Sequence, residues 1–108
     1  MGMASLIHHT AICTRDVDES LRFWRDGLGF DLLMDEHFDG DWPTLLHAPS
    51  TSLRSVFLGR PGHDAGIVEL VDLGLVGPPG SAADHPAPGF LLVSLMADVE
   101  DALGRLAA

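Results

Sequence analysis

HHTAICTRDVDESLRFWRDGLGF, residues 8–30, is the segment that decides the fold of this chain. It begins inside an apolar, β-branched run over residues 6–14, which predicts a strand with alternate side chains on one face. Asp16 follows as a candidate helix N-cap, and Glu19 stands three positions later in a capping-box arrangement. The segment therefore predicts a strand followed directly by a capped helix.

The predicted helix carries one apolar stripe, which must face a sheet. Gly29 follows the stripe and predicts a left-handed helix end. The apolar residues recur at spacings of four, three and four, and they are Val17, Leu21, Trp24 and Leu28.

The same pattern returns in weaker form near the C-terminus, as LLVSLMADVEDALGRL over residues 91–106. Each copy predicts a strand, a capped helix start and an amphipathic helix. A repeat of this kind favours a fold built from paired modules, with the functional cleft between them. When the copies are aligned, His9 of the first falls opposite Leu91 of the second.

The remaining apolar runs and the turn-forming residues between them predict the order βαβββ for the first module. Further strands are expected at 30–34, 52–58 and 66–72, with an acidic loop at 35–43 and a short extension at 44–47. We interpret residues 6–72 as the first module, residues 73–89 as a glycine- and proline-rich linker, and residues 90–108 as a second module that stops after its helix. The expectation is one α+β domain over residues 1–108.

Composition excludes several classes of function. The chain has 16 acidic residues against six arginines and no lysine, a net charge of −10, which disfavours nucleic acids and anionic membranes as partners. No apolar run has the length of a membrane span, and the start MGMASLIHH does not resemble a secretory signal. The single cysteine, Cys13, fits a reducing compartment, so we expect a cytoplasmic protein. Gly-rich phosphate loops and nucleophile elbows are absent from the sequence.

Three features together resemble the vicinal oxygen chelate superfamily: His9 seven residues before Asp16, the segment SLRFWRDGLGF at 20–30, and GIVELV at 66–71. That superfamily includes glyoxalase I, extradiol dioxygenases, methylmalonyl-CoA epimerase, the fosfomycin resistance enzymes and the bleomycin resistance proteins. The resemblance implies paired βαβββ modules, the glyoxalase/bleomycin resistance/dioxygenase fold, curled around a cleft that commonly holds one divalent metal. Fold resemblance by itself does not fix the reaction.

The resemblance also implies a site. It makes His9 and Glu69 the metal ligands of the first module, for Zn, Ni, Mn or Fe, and Glu69 the candidate catalytic carboxylate. The matching position of the second module is Leu91, which cannot bind a metal, so the alternative is that no metal is bound. His9 and Glu69 would then bond to each other or to water and line the cleft, since a carboxylate beside Ile67 and Val71 needs compensation.

Other residues are candidates for the walls of the cleft. Trp42 and Phe57 are expected to contact an apolar part of a substrate, with core packing as the favoured alternative for Phe57. Arg54 is expected to contact an anionic part of a substrate or a surface acid. By strand alternation His8 is expected on the face opposite to His9. Cys13 is expected to act as a small buried hydrophobe.

Three hypotheses about function follow. The first is a protein that binds a small molecule in the cleft, as in resistance-type sequestration. The second is a metal-dependent lyase, isomerase or dioxygenase acting on a substrate with vicinal oxygens. The third is a module retained for structure or partner binding. In each case the open second module predicts a homodimer, because its strand would otherwise expose an edge and an apolar face. A longer natural chain is the alternative explanation of the open edge.

Overall fold

A computed structural model of the chain describes residues 6–74, 89–96 and 98–107. It contains five strands and three α-helices, with a π-helical segment directly after the first helix. The elements are β1 Leu6–Cys13, α1 Val17–Leu21, the π-helical segment Arg22–Gly27, β2 Asp31–Asp39, α2 Trp42–Leu46, β3 Ser52–Gly59, β4 Ile67–Asp72, β5 Gly89–Met96 and α3 Val99–Ala107.

The strands form one five-stranded sheet in the order β2-β3-β4-β1-β5. The first and last strands of the predicted first module, β1 and β4, are parallel neighbours, and all the other pairs are antiparallel. In the second module, α3 begins like α1, with the backbone N–H of Asp101 donating to Asp98 Oδ1 at 3.0 Å. The predicted α+β fold, a βαβββ module followed by an incomplete second one, is confirmed. Most of the predicted linker, residues 75–88, lies outside the described residues, as does residue 97.

The start of α1 follows the sequence prediction, and its end differs. Asp16 caps the helix by accepting from the backbone N–H of Glu19 at 3.0 Å, and Gly29 has the expected positive φ of 80°. Between them the helix widens, and the N–H of Leu28 donates to the carbonyl of Phe23, five residues back, at 3.0 Å. Because a π-helical turn holds more residues than an α-turn, Leu28 leaves the apolar stripe and is exposed. The expectation that it faces the sheet is wrong.

The region between β2 and β3 also differs from the prediction. The expected acidic loop at 35–43 is mostly strand, because β2 continues to Asp39 and pairs with β3 along its whole length. The expected extension at 44–47 is instead the last part of α2 and its C-cap. Asp41 caps this helix by accepting from the N–H of Thr44 at 3.4 Å, and His47 ends it with a φ of 55°. Local capping therefore overrides the weak strand pattern here.

The sheet separates two apolar clusters. On one face, α1 packs against β3 and β4, with Trp24 half-buried at its border; the buried members are Val17, Leu21, Val56, Leu58 and Leu70. On the opposite face, which we call the His9 face, α2 packs through Trp42 and Leu46 on a second cluster of Ala11, Cys13, Ala48, Leu53, Val71 and Leu73. No helix in the described residues is long and apolar enough to cross a membrane.

Candidate functional site

Glu69 lies near the middle of the sheet, on the His9 face of β4. Its neighbours in the register are Ala11 of β1 and Phe57 of β3. One carboxylate oxygen, Oε1, lies 3.2 Å from His9 Nε2, and the other, Oε2, accepts a hydrogen bond from Ser55 Oγ at 2.6 Å. Both oxygens therefore have a polar partner, which compensates for placing a carboxylate whose side chain is only 16% exposed.

His9 stands beside this carboxylate in the parallel neighbour strand β1. Its side chain is 17% exposed, and its ring lies 4.9 Å from the ring of Phe57, measured between centroids, at an interplanar angle of 40°. The sequence led us to expect His9 and Glu69 to project together from one face, and the structure brings them together. Their roles as metal ligands, and that of Glu69 as a catalytic carboxylate, stay predictions.

His8 lies in the same site, and the alternation argument that placed it on the opposite face is wrong. Its Nδ1 lies 2.7 Å from His9 Nδ1, and its ring centroid is 6.1 Å from that of Phe57. The cause is a register break in the pairing with β5, where Ile7 faces Leu95 and His9 faces Ser94. His8 is the extra residue of this β-bulge, and bulges re-aim side chains. The pair of adjacent histidines was the only signal in the sequence.

Cys13 is buried on the His9 face and does not behave as a thiolate ligand at neutral pH. Burial raises the pKa of the Cys13 thiol to about 11, and the negative charge of Glu69 adds to that increase. A thiol with so high a pKa stays protonated and reacts slowly. The expectation that Cys13 acts as a small buried hydrophobe agrees with its exposure of 2%.

The three predicted substrate-binding residues occupy different places. Phe57 borders the His9–Glu69 pair directly. Trp42 is on the same face but packs against the buried cluster, and its indole Nε1 donates to the carbonyl of Phe38 at 2.9 Å. Arg54 alternates with Ser55 on β3 and so projects from the α1 side of the sheet. It forms a two-pronged ion pair with Asp35 at 2.9 and 2.7 Å.

This ion pair shifts the pKa values of both of its members. The hydrogen bond from Arg54 holds the pKa of Asp35 below its usual range, and the Asp35 carboxylate in turn raises the pKa of Arg54. Arg54 also borders a shallow depression of about 210 Å³ with His37, Ser52 and Asp72. The structure thus brings only Phe57 of the three candidates to the carboxylate.

The described residues of one chain do not form a complete metal site. No group of three or more His, Cys, Asp or Glu side chains converges within residues 6–74, 89–96 and 98–107. His8 contacts His9 at Nδ1, whereas Glu69 is on the Nε2 side of the ring. A bound zinc ion needs at least three protein ligands. His9 and Glu69 supply half of such a shell, and the further donors would have to come from elsewhere.

Leu91, the counterpart of His9 in the repeat, lies in β5 beside β1. The register runs from Ala11 opposite Leu92 to Ile12 opposite Phe90, so Leu91 is the extra residue of a second irregularity. The backbone of the second copy is therefore adjacent to the site, as expected from a fold with paired modules. A leucine side chain has no atom that binds a metal.

The residues around the pair do not line the cavity next to the π-helical segment. That cavity, of about 310 Å³, lies where the π-helical segment meets the β3–β4 turn, and it is lined by Leu28, Gly29, Phe30, Gly59, Arg60, His63, Ala65 and Gly66. None of the predicted site residues borders it. The side chains of His9, Glu69 and Phe57 instead lie on the His9 face.

Sequence comparison connects this geometry with known proteins. The family model described as "Glyoxalase/Bleomycin resistance protein/Dioxygenase superfamily" matches residues 6–108. The chain belongs to this superfamily. The vicinal oxygen chelate resemblance inferred from the sequence is thereby confirmed. Members of the superfamily commonly bind a divalent metal and small-molecule substrates, and often form dimers.

Two proteins similar to this superfamily member have longer chains. The chain is 35% identical over 95 residues to the lactoylglutathione lyase-like protein terB of Aspergillus terreus, with 82% of this chain and 47% of that protein covered. The crystal structure of methylmalonyl-CoA epimerase from Mycobacterium tuberculosis superposes with a TM-score of 0.64 at 20% identity, covering 99% of this chain and 65% of that one. The chain spans about half the length of its curated relative. The second likeness shows the fold alone.

Proposed function

We propose that this chain binds a small molecule at the His9 face, with the polar end of the ligand at the His9–Glu69 pair and an apolar part against Phe57. The observation that carries the proposal is the 3.2 Å contact between His9 Nε2 and Glu69 Oε1 beside the Phe57 ring. A few polar groups set in an apolar wall are typical of small-molecule sites. Both side chains keep part of their surface open to solvent, which leaves them accessible to a ligand.

The chemistry of the pair favours a ligand with neighbouring oxygen atoms. His9 carries a hydrogen-bond donor and Glu69 carries acceptors, so the pair suits a ligand with a hydroxyl next to a carbonyl. The name of the similar protein from Aspergillus terreus contains an acyl thioester of this kind, lactoylglutathione. We therefore take an acyl compound with an oxygen function close to its carbonyl as the ligand class to test.

A second candidate function is a divalent-metal-dependent lyase, isomerase or dioxygenase in which Glu69 moves a proton. The observation in its favour is that the nitrogen of His9 and the oxygen of Glu69 lie as close together as two neighbouring ligands of one Zn, Ni, Mn or Fe ion would. The name of the similar protein from Aspergillus terreus also refers to a lyase. Because the described residues supply only half of a shell, we derive no metal-dependent step.

Assembly into a homodimer supports either function. β5 is the last strand of the described sheet, and Leu6 and Ile7 next to it are exposed. On α3, Val99 and Leu103 are 68% and 60% exposed, although Val17 and Leu21, their counterparts in the repeat, are buried. Apolar surface of this extent favours association, and a two-fold pair would supply a second His9 and Glu69. A monomer mass by light scattering at micromolar concentration would contradict this part of the proposal.

We place the protein in the cytoplasm because Cys13 is a free thiol.

Calorimetric titration separates the two functions. S-lactoylglutathione, ZnCl₂, NiCl₂ and MnCl₂ are each titrated into the wild-type chain, His9→Ala and Glu69→Gln, with the exposed His37→Ala as the matched control. Binding of S-lactoylglutathione that survives EDTA but is lost in Glu69→Gln supports the binding function. A stoichiometric metal lost in His9→Ala, but retained in His37→Ala, supports the enzyme. Absence of both ligand and metal binding contradicts both proposals.

A further inference from the structure

His8 is the residue of this site that the proposed function does not use. It is half-buried, it contacts His9 at 2.7 Å, and it reaches that position only because β1 bulges against β5. A bulge leaves a residue out of the strand pairing, so it has a cost in backbone hydrogen bonding. The bulge places the imidazole of His8 against the Nδ1 atom of the His9 ring.

Hydrogen-bond chemistry assigns the proton positions along the contact. Glu69 as a carboxylate only accepts, so His9 Nε2, at 3.2 Å from its Oε1, carries a hydrogen. In a neutral imidazole the other nitrogen, Nδ1, is then an acceptor. When both rings are neutral, the Nδ1 of His8, 2.7 Å away, is therefore the donor. The hydrogen bonds run from His8 to His9 and from His9 to Glu69, which also accepts from Ser55.

We propose that His8 is a positioning residue, which holds the His9 ring in the tautomer with hydrogen on Nε2 and keeps that edge turned toward Glu69. This deepens the ligand-binding function proposed above and rests on it. The partner on Nδ1 selects the tautomer of a histidine and fixes its ring orientation. Phe57, 4.9 Å from the His9 ring, restrains the plane of the ring but offers no hydrogen bond that would choose between its two nitrogens.

Nitrogen NMR of the ¹⁵N-labelled full chain tests the proposal without any ligand or metal. In the wild type, we expect a scalar coupling between the two Nδ1 nuclei of His8 and His9, transmitted through their hydrogen bond. We also expect a protonated-type shift at His9 Nε2 and an acceptor-type shift at His9 Nδ1. If the coupling is absent or the His9 shifts are reversed, the proposal is overturned. This measurement needs no variant, so it holds even where a substitution impairs folding.

Variants at position 8 add the test that a merely structural role would not pass. His8→Leu removes the donor, so His9 Nδ1 should move toward the shift of a water-bonded nitrogen and its resonances should broaden as the ring reorients. His8→Asn retains an amide donor and should restore the wild-type pattern. His63→Leu, in the β3–β4 turn, is the matched control. Unchanged His9 resonances in His8→Leu would overturn the proposal. Failure to bind S-lactoylglutathione or metal would count only against the proposed function, since these spectra are recorded without either.

Discussion

Replacing Ser55 with alanine tests whether the Glu69 carboxylate depends on the polar partners described for it. The Ser55 residue is 2% exposed, and its hydroxyl donates to Glu69 Oε2 at 2.6 Å. A hydrogen bond to a charged group contributes about 1.5–3 kcal/mol net. Because the Glu69 side chain is 16% exposed, water can replace part of the lost bond. We therefore expect Ser55→Ala to lower the free energy of unfolding by about 1.5–2 kcal/mol, from the lower part of that range.

Urea denaturation at pH 7 measures this loss, and the slope of the transition should stay that of the wild type. For a chain of this size the melting temperature should fall by roughly 6–16 °C. Ser52→Ala, on the same strand, is the matched control and should change the free energy of unfolding by less than about 0.5 kcal/mol. In a Glu69→Leu background, Ser55→Ala should cost much less, since the carboxylate it serves is gone. A Ser55→Ala effect no larger than that of Ser52→Ala, or an equal effect in both backgrounds, would refute the reasoning.

Three further predictions concern other parts of the chain. Because the pKa of Cys13 is raised to about 11, iodoacetamide at pH 7.5 should modify it far more slowly in the native protein than in urea, as followed by mass spectrometry; equal rates would contradict its burial. Since the pKa of Asp35 is lowered by Arg54, the stabilisation from this pair is present above about pH 4 and lost as the pH falls through the folded pKa. Asp35→Asn should accordingly cost about 0.5–1 kcal/mol at pH 7 and progressively less as the pH falls below about 4, and a cost independent of pH would be inconsistent with an ion pair. Asp16→Ala should destabilise the fold by about 1 kcal/mol through loss of the α1 cap, against a negligible effect of Asp18→Ala, both read from urea midpoints.

The parts of the fold predicted correctly from the sequence are those set by neighbouring residues. The Asp16 cap and the positive φ at Gly29 depend on a few consecutive positions, and the strand around Glu69 depends on alternation within one short run. Leu28 was placed wrongly because the stripe was counted at an α-helical period, whereas the backbone changes to π-helical bonding from Arg22 onward. Nothing in the apolar spacing signals that change.

The parts of the site that were missed depend on pairing between distant segments. His8 was assigned to the wrong face because alternation assumes an unbroken ladder, and the bulge exists only in the pairing with β5. The hydrogen bond from Ser55 to Glu69 depends on the β3–β4 register, in which Phe57 faces Glu69 and Ser55 faces Val71. Arg54, one residue away, projects from the other side of the same strand. A shift of one residue in register would have placed Arg54 on the His9 face and Ser55 on the α1 side of the sheet.

The parallel pairing of β1 with β4 has a consequence for how the candidate site forms during folding. His9 and Glu69 belong to the first and last strands of the module. They therefore come together only when the helix and the hairpin between these strands have packed. Contacts with such long sequence separation are slow to form, because loop closure precedes any gain from pairing. The candidate site is therefore absent from any partly folded chain in which β1 and β4 have not paired. A ligand that bridged His9 and Glu69 would stabilise this pairing by its binding free energy.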